Sequence, residues 1–264
     1  MTAPTPAGPP CPGRKGRRPA GAAPTVPPAE TAKNPPPIPQ KVRPSGSASP
    51  PSVETVLERL ERAYGRRPWR PGGRPLDTLV ATILSQHTSD RNSTAAMLRL
   101  KTRFPSWDAV ADAPLDRLAE AVRVAGLHRQ KARTIRACLR RIREDRGRTD
   151  LDFLRRWSTE RAKAYLLALP GVGPKTAACV LLFSLGRPVM PVDTHVHRVS
   201  RRLGLVGETV SAERAHDLLA EVVPADRVYP FHVLLIEHGR RVCRARRPDH
   251  KACPLRDLCP SAAR

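Results

Sequence analysis

Apolar residues recur every three or four positions through almost all of the chain from Ser52 onward. This spacing places them along one face of a helix. Ser52 suits the N-cap of the first helix. Further helices are predicted around the apolar stripes at 76–84 and 135–142, and over 92–103, 114–124, 159–168, 174–185, 194–203, 211–223 and 229–242. Because no segment alternates apolar and polar residues as a half-buried strand does, we predict an all-α protein.

The charge of the chain is strongly positive. Lys and Arg number 47 against 24 Asp and Glu, a formal net charge of +23. Such an excess indicates a polyanionic partner, most often nucleic acid, with a merely soluble basic protein as the alternative. Aromatic residues are only 4% of the chain, which argues against modules that stack bases on aromatic platforms. The longest apolar run, around AACVLLF, is too short to cross a bilayer, so no membrane partner is expected.

The first 51 residues have a different composition from the rest. They hold 16 of the 30 prolines and the basic patch GRKGRR. A segment of this kind buries too little apolar surface to offset the entropy of ordering it. We therefore predict a disordered basic tail over 1–51, which either adds non-specific affinity for nucleic acid or is dispensable.

Three of the six cysteines lie close together near the C-terminus. With one histidine they form the pattern Cys-x6-His-x2-Cys-x5-Cys, made of Cys243, His250, Cys253 and Cys259. Such spacing is typical of a loop with four ligands for a metal or a cluster, here with one unusual ligand. Cys138 and Cys179 fall in apolar helical patterns instead. A ligand group with two buried thiols is the usage expected in a reducing cytosol, and we expect a cytoplasmic protein associated with the bacterial nucleoid.

The stretch LPGVGPKTAACVLLF predicts two helices joined by a tight turn. Gly171 and Gly173 permit positive φ and a close approach of the backbone. Val172 can fill the gap between the helices, and Pro174 suits the first position of the second helix. The free amides of the turn and of the helix N-terminus then face outward, where they can bind a phosphate oxygen. An ordinary helical hairpin without a ligand is the alternative.

Lys175 and Asp193 are the candidate catalytic pair. Lys175 falls in the first turn of a helix, where the dipole and burial both favour a neutral amine. A neutral lysine can act as a nucleophile and form a Schiff base, and a phosphate contact is the equally open alternative. Asp193 is placed as an N-cap. It follows Lys175 by one helix and a short loop, so the chain can bring the two together. A carboxylate beside a nucleophilic lysine suits cleavage of an N-glycosidic bond.

His195 and His197 do not form a metal site. On a helix, residues two positions apart point about 200° apart, so the two rings cannot bind one ion.

These segments resemble the endonuclease III family of DNA glycosylases, which belongs to the helix-hairpin-helix superfamily with a Gly-Pro-Asp signature. The matching pieces occur in the family's order and span about residues 53–264. They are LSQHTSD (84–90), AGLHRQKA (125–132), LPGVGPKTA (169–177), VDTHVHRV (192–199) and the cysteine loop (243–259).

The resemblance implies two helical domains with the active site in the cleft between them. A six-helix barrel domain with the helix-hairpin-helix would span 76–190, and the iron–sulfur domain would combine 52–75 with 191–264. The implied enzyme is a monomer that removes oxidised pyrimidines from double-stranded DNA and nicks abasic sites. It flips the damaged base into the cleft. Lys175 would attack the sugar, form a Schiff base and allow β-elimination, and Asp193 would assist.

The resemblance also implies roles for the residues that contact DNA. The turn of Gly171, Val172 and Gly173 would grip a backbone phosphate. Leu127 would wedge beside the flipped base, unless it is a buried residue at a helix end. The family usually places a glutamine opposite the orphan base. Here either Gln86 or His87 could fill that place, which leaves the substrate and opposite-base preference open.

The family's [4Fe–4S] pattern has a cysteine where this chain has His250. Three interpretations remain open: His250 ligates the cluster, the loop is a Cys3His zinc site, or the cluster has three protein ligands or is absent. Basic side chains in this loop would contact phosphates, with a merely solvated loop as the alternative: Arg244, Arg246, Arg247 and Lys251.

Two other functions remain as alternatives at this point. One is a mismatch-specific thymine or uracil glycosylase of the same superfamily. The other is a DNA-binding protein without catalytic activity.

Overall fold

The computed structural model describes residues 50–70 and 72–262, all within one compact unit, Gly46–Arg264. Residues 1–49 of the predicted tail lie outside this range. No strand occurs among the described residues, and the predicted all-α class is confirmed. The α-helices are α1 Val53–Tyr64, α2 Pro75–Ser85, α3 Asp90–Arg103, α4 Trp107–Asp112, α5 Leu115–Ala121, α6 His128–Arg146, α7 Thr159–Leu167, α8 Pro174–Cys179, α9 Thr194–Arg202, α10 Ala212–Val222 and α11 Val228–Arg241.

The helix starts follow local capping chemistry. The Ser52 hydroxyl accepts a hydrogen bond from the Thr55 amide at 3.1 Å, so this predicted N-cap is confirmed. Pro174 occupies the first position of α8, where its missing N–H costs nothing. The periodicity did not indicate α4, which is only six residues long.

Two clusters of buried side chains hold the helices together. The first gathers residues between Leu76 and Leu181. The second joins α1, through Val53–Leu60, to residues between Leu182 and Leu255. The predicted domain boundaries remain predictions. In the part of the chain that the structure covers, no helix has the length and apolar character needed to cross a membrane.

The helix begun by α8 continues into a π-helical segment, Val180–Ser184. A π-helix changes the hydrogen-bond ladder, and its carbonyls here accept bonds from outside the helix. The Trp69 indole donates to the Leu182 carbonyl at 2.8 Å, and the Gly72 amide donates to the Phe183 carbonyl at 3.1 Å. The connection between α1 and α2 is therefore fixed onto the helix that starts at the hairpin.

Candidate active site and nucleic-acid interface

The hairpin turn lies between α7 and α8 and depends on one glycine. Gly171 adopts a φ of 71°, and a Cβ there would lie 2.8 Å from Cγ2 of Thr134 on α6. Both observations require glycine at this position. Gly173 does not use the positive φ that glycine permits: its φ is −95° and a Cβ would meet nothing within 4 Å. Gly173 lies at the N-cap of α8, where an extended backbone precedes the first turn.

The inner side of the turn is anchored on the protein interior. Val172 is buried and fills the gap between the helices, as predicted. The Cys138 thiol on α6 donates to the Pro170 carbonyl at 3.0 Å, and burial raises the pKa of this thiol to about 12. With its inner side held in this way, the turn presents exposed Gly171 and Gly173 to solvent.

Lys175 is half-buried in the first turn of α8, one turn before the buried thiol of Cys179. Burial raises the pKa of that thiol, while the charge of Lys175 and a hydrogen bond with it act in the opposite direction. The charge of Asp193 also acts on Cys179. Lys175 and Asp193, which are 18 residues apart in sequence, therefore both lie within electrostatic reach of the same buried group.

Asp193 caps α9 through one of its carboxylate oxygens. Oδ1 accepts hydrogen bonds from the amides of His195 at 2.9 Å and Val196 at 2.7 Å. Because both amides bind Oδ1, Oδ2 keeps its lone pairs for another partner. Asp193 therefore caps α9 through Oδ1, and Oδ2 remains available for the reaction.

His232 on α11 is a buried neighbour of this pair that the sequence did not indicate. Its ring is 2% exposed, and Nδ1 donates to the Pro191 carbonyl at 2.9 Å. Burial lowers the pKa of His232 to about 4, against smaller opposing effects from Asp193 and the Pro191 carbonyl. The ring is therefore neutral at physiological pH, and it lies within electrostatic reach of both Asp193 and Lys175.

His195 and His197 have separate partners. The His195 Nδ1 pairs with Arg198 at 3.1 Å, and the His197 Nε2 pairs with the Val210 carbonyl at 2.7 Å.

The residues predicted to enter DNA occur on two short segments with unusual backbone. Leu127 has a φ of 44° and is 53% exposed, so the alternative that it is a buried helix-end residue is wrong. His87 is exposed with a φ of 51°. The left-handed region costs a residue other than glycine roughly 1–2 kcal/mol. Gln86 is half-buried, and its amide donates to Thr176 Oγ1 at 3.5 Å, beside Lys175.

The candidate cluster ligands line one cavity near the C-terminus: Cys243, His250, Cys253 and Cys259. The three cysteines are free thiols, and burial raises the pKa of Cys253 and of Cys259. Within the described residues, 50–70 and 72–262, no three His, Cys, Asp or Glu side chains are grouped so that they could bind a single metal ion. Cysteine sulfurs that line one cavity are the type of donor that an iron–sulfur cluster uses.

His238 on α11 also lines this cavity and was not predicted. Its Nε2 lies 3.7 Å from Cys253 Sγ, and its Nδ1 lies 2.9 Å from the Tyr64 hydroxyl. If the tyrosine donates to Nδ1, the other ring nitrogen carries a proton and can donate to the sulfur. The cavity therefore has an imidazole beside a thiol in addition to His250.

Two arginines of α9 hold the cysteine loop. Arg198 donates to the carbonyls of Gly239 at 2.9 Å and Cys243 at 3.0 Å. Arg202 donates to the carbonyls of Arg244 at 2.7 Å and Ala245 at 3.1 Å, and to the Cys243 sulfur at 3.2 Å. The helix that starts at Asp193 thus also positions the first cysteine of the loop.

The basic side chains of this loop are exposed: Arg244, Arg246, Arg247 and Lys251. No ion pair involves any of them within the described residues. Unpaired guanidinium and ammonium groups on a fixed loop form a surface suited to phosphates.

Comparisons with known proteins agree with this arrangement. The HhH-GPD superfamily base excision DNA repair protein pattern matches residues 80–225. Endonuclease III of Thermotoga maritima is 35% identical over 185 residues, which are 70% of this chain and 82% of that protein. A provisionally named DNA glycosylase of Arabidopsis thaliana is 39% identical over 165 residues, 62% of this chain and only 56% of the plant protein. The structure of a non-covalent Endonuclease III–DNA complex superposes with a TM-score of 0.70 at 29% identity, covering 80% of this chain and 95% of that one.

The fold and the matched residues define a DNA glycosylase of base excision repair, an enzyme that binds DNA. The chain belongs to the HhH-GPD superfamily and, within it, to the endonuclease III family. The resemblance on which the sequence analysis relied is therefore confirmed.

Proposed function

We propose that this chain is a bifunctional glycosylase and abasic-site lyase that acts on oxidised pyrimidines in double-stranded DNA. The observation that carries the proposal is the placement of Lys175 and Asp193 around the same buried groups, Cys179 and His232. An amine and a carboxylate that both lie within electrostatic reach of Cys179 and His232 supply the two groups that the reaction needs. The exposed hairpin turn and the basic loop provide the DNA-binding surface, and we propose that the enzyme acts as a monomer.

The reaction follows from these groups in balanced steps. The Lys175 amine adds to the sugar C1′, and the C1′–N bond breaks so that the base leaves with its bonding electrons and gains a proton. The sugar ring then opens: the C1′–O4′ bond breaks, O4′ takes a proton, and a Schiff base forms between Lys175 and C1′. Loss of a C2′ proton then expels the 3′ phosphate by β-elimination, which nicks the strand. The Asp193 carboxylate takes the proton from the lysine or stabilises positive charge on the sugar.

His87 and Gln86 divide the role that one glutamine usually has in the family. The exposed member of the pair is His87, and we propose that it enters the duplex opposite the flipped base. Gln86, hydrogen-bonded to Thr176, would hold the start of α8 against this segment. Leu127 would fill the space left beside the flipped base.

A substrate panel tests the proposed activity. Duplexes that contain thymine glycol, an abasic site or a G·T mismatch are incubated with the protein, with and without borohydride. We expect strand cleavage and a covalent adduct with the first two, because the Schiff base is reduced in place. Base release from the mismatch without trapping would indicate a monofunctional thymine glycosylase, and binding without any product would indicate a non-catalytic protein.

We propose that Cys243, His250, Cys253 and Cys259 hold a [4Fe–4S] cluster, as is typical of the endonuclease III family. Their cavity has the soft donors that such a cluster requires, with an imidazole in place of one thiolate. The cluster would supply a rigid core for the basic loop, and no step of the base removal depends on it.

A His250→Cys substitution tests this ligand set. We expect the natural protein to be isolated with iron, sulfide and visible charge-transfer absorption, and His250→Cys to lower the reduction potential because thiolate replaces neutral imidazole. His250→Ala reports whether the ring is a ligand at all, since the spectrum and iron content then change. His216→Ala, which removes a histidine far from the loop in sequence, is the control. One bound zinc with no visible absorption would contradict the cluster.

A further inference from the structure

Lys131 is a buried cation on α6 that the proposed reaction does not use. Its side chain is 3% exposed, and Nζ donates to the carbonyls of Leu84 and Ala125, both at 2.8 Å. No carboxylate forms an ion pair with it anywhere in the part of the chain that the structure describes. Burial lowers the pKa of Lys131. A buried ammonium is costly unless hydrogen bonds such as these replace its lost hydration.

The two carbonyls belong to the two segments predicted to enter DNA. The Leu84 carbonyl lies in the last turn of α2, where helix carbonyls lack partners within the helix, and Gln86 and His87 follow directly. The Ala125 carbonyl lies two residues before Leu127. The backbone amide of Lys131 donates in addition to the Leu127 carbonyl at 2.9 Å. One residue therefore bonds to both segments immediately before their exposed tips.

The exposed ends of these two segments, at His87 and Leu127, need bonds of this kind to hold their backbone conformation. His87 and Leu127 both hold left-handed backbone, which persists only when the surrounding structure fixes it. In addition, the affinity of the protein for DNA falls if a segment that enters the duplex has to be ordered when it binds.

We infer that Lys131 is a positioning residue that sets the two DNA-inserting segments, at His87 and at Leu127, relative to each other. Under the proposed function, on which this inference rests, opening of the duplex depends on a residue that contacts neither DNA nor the reacting sugar. Without the ammonium the two carbonyls lose their common partner, and the segments can move independently.

A comparison of double- and single-stranded substrates isolates this role. A single strand has no helix to open, so the inserting side chains matter little there, while the Schiff-base chemistry at an abasic site is the same. For Lys131→Met we expect the single-turnover rate on a duplex abasic site to fall about tenfold or more. On a single-stranded abasic site the single-turnover rate of Lys131→Met should stay within about twofold of the rate of the unsubstituted protein. Both rates are expressed per active molecule, and active molecules are counted by borohydride trapping. Lys101→Met, which removes a surface ammonium paired with Asp77, is the matched control and should change neither rate.

A second measurement tests whether Lys131 acts through the segment that carries Leu127. In a double-mutant cycle with Leu127→Ala, the loss caused by Lys131→Met should be smaller when the leucine is already absent. Equal losses on both substrates, no trapping of Lys131→Met on single strands, or full additivity in the cycle would each overturn the inference. If the unsubstituted protein traps on neither substrate, the proposed function is itself wrong and the inference falls with it.

Discussion

A Lys175→Met variant is expected to lose abasic-site cleavage by at least about 10³-fold and to form no adduct with borohydride. The reason is that the amine is the only group in the proposal that can bond to the sugar carbon, and methionine keeps the length of the side chain without the nitrogen. The variant should still bind abasic DNA, because the hairpin turn and the basic loop are unchanged. Single-turnover cleavage and trapping, with binding measured in parallel, check this result.

Lys101→Met serves again as the control, since it removes an ammonium from an exposed ion pair on α3. A surface pair of this kind contributes little to stability, about 1 kcal/mol at most. If Lys175→Met is trapped as efficiently as the unsubstituted protein, another amine forms the Schiff base. The phosphate-contact interpretation of Lys175 would then replace the catalytic one.

An Asp193→Asn variant is expected to lose about 10²-fold or more in excision of a damaged base, with nearly unchanged stability. Asparagine is as good an N-cap as aspartate, so its side-chain oxygen can still accept from the amides of His195 and Val196. What it lacks is the negative charge and the ability to take a proton. The measurement is the excision rate together with the melting temperature.

Asp193→Ala separates the two roles of this carboxylate. Alanine removes the cap as well as the charge, so the free energy of unfolding should fall by about 1 kcal/mol while the rate falls as in the asparagine variant. If Asp193→Asn retains full activity, the residue is a helix cap only. Ser211→Ala, which removes the N-cap of α10, is a control for capping without catalytic consequence.

Much of this fold could be predicted from the sequence because its signals are local. The apolar spacing located most helices, and Ser52 marked the start of the first one. The positions of Lys175 and Asp193 followed from the hairpin and from the short chain between them. The exception at Gly173 has a physical cause: an N-cap residue is extended before its helix, so the glycine there is not used for positive φ.

The residues that were missed depend on contacts between distant segments. His232 lies beside the catalytic pair because α11 packs on α9, and nothing near it in sequence indicates this. Lys131 did carry a signal, since it falls at helical spacing with Ile135 and Leu139 on the apolar face of α6. A lysine on a buried face indicates a specific set of acceptors, but only the tertiary structure shows which ones. The same holds for His238 and the cysteine cavity.

The buried face of α6 connects the two parts of the proposed DNA-binding surface. Lys131 in its first turn bonds to the two proposed inserting segments, and Cys138 two turns later donates to the Pro170 carbonyl at the hairpin turn. From its start to Cys138 the helix rises about 15 Å, close to four base-pair steps of a duplex. Under the proposed function, α6 would therefore set the distance between the inserting segments and the phosphate-binding turn. Adding or removing one residue within it would shift that footprint by about 1.5 Å and turn one end about 100° relative to the other.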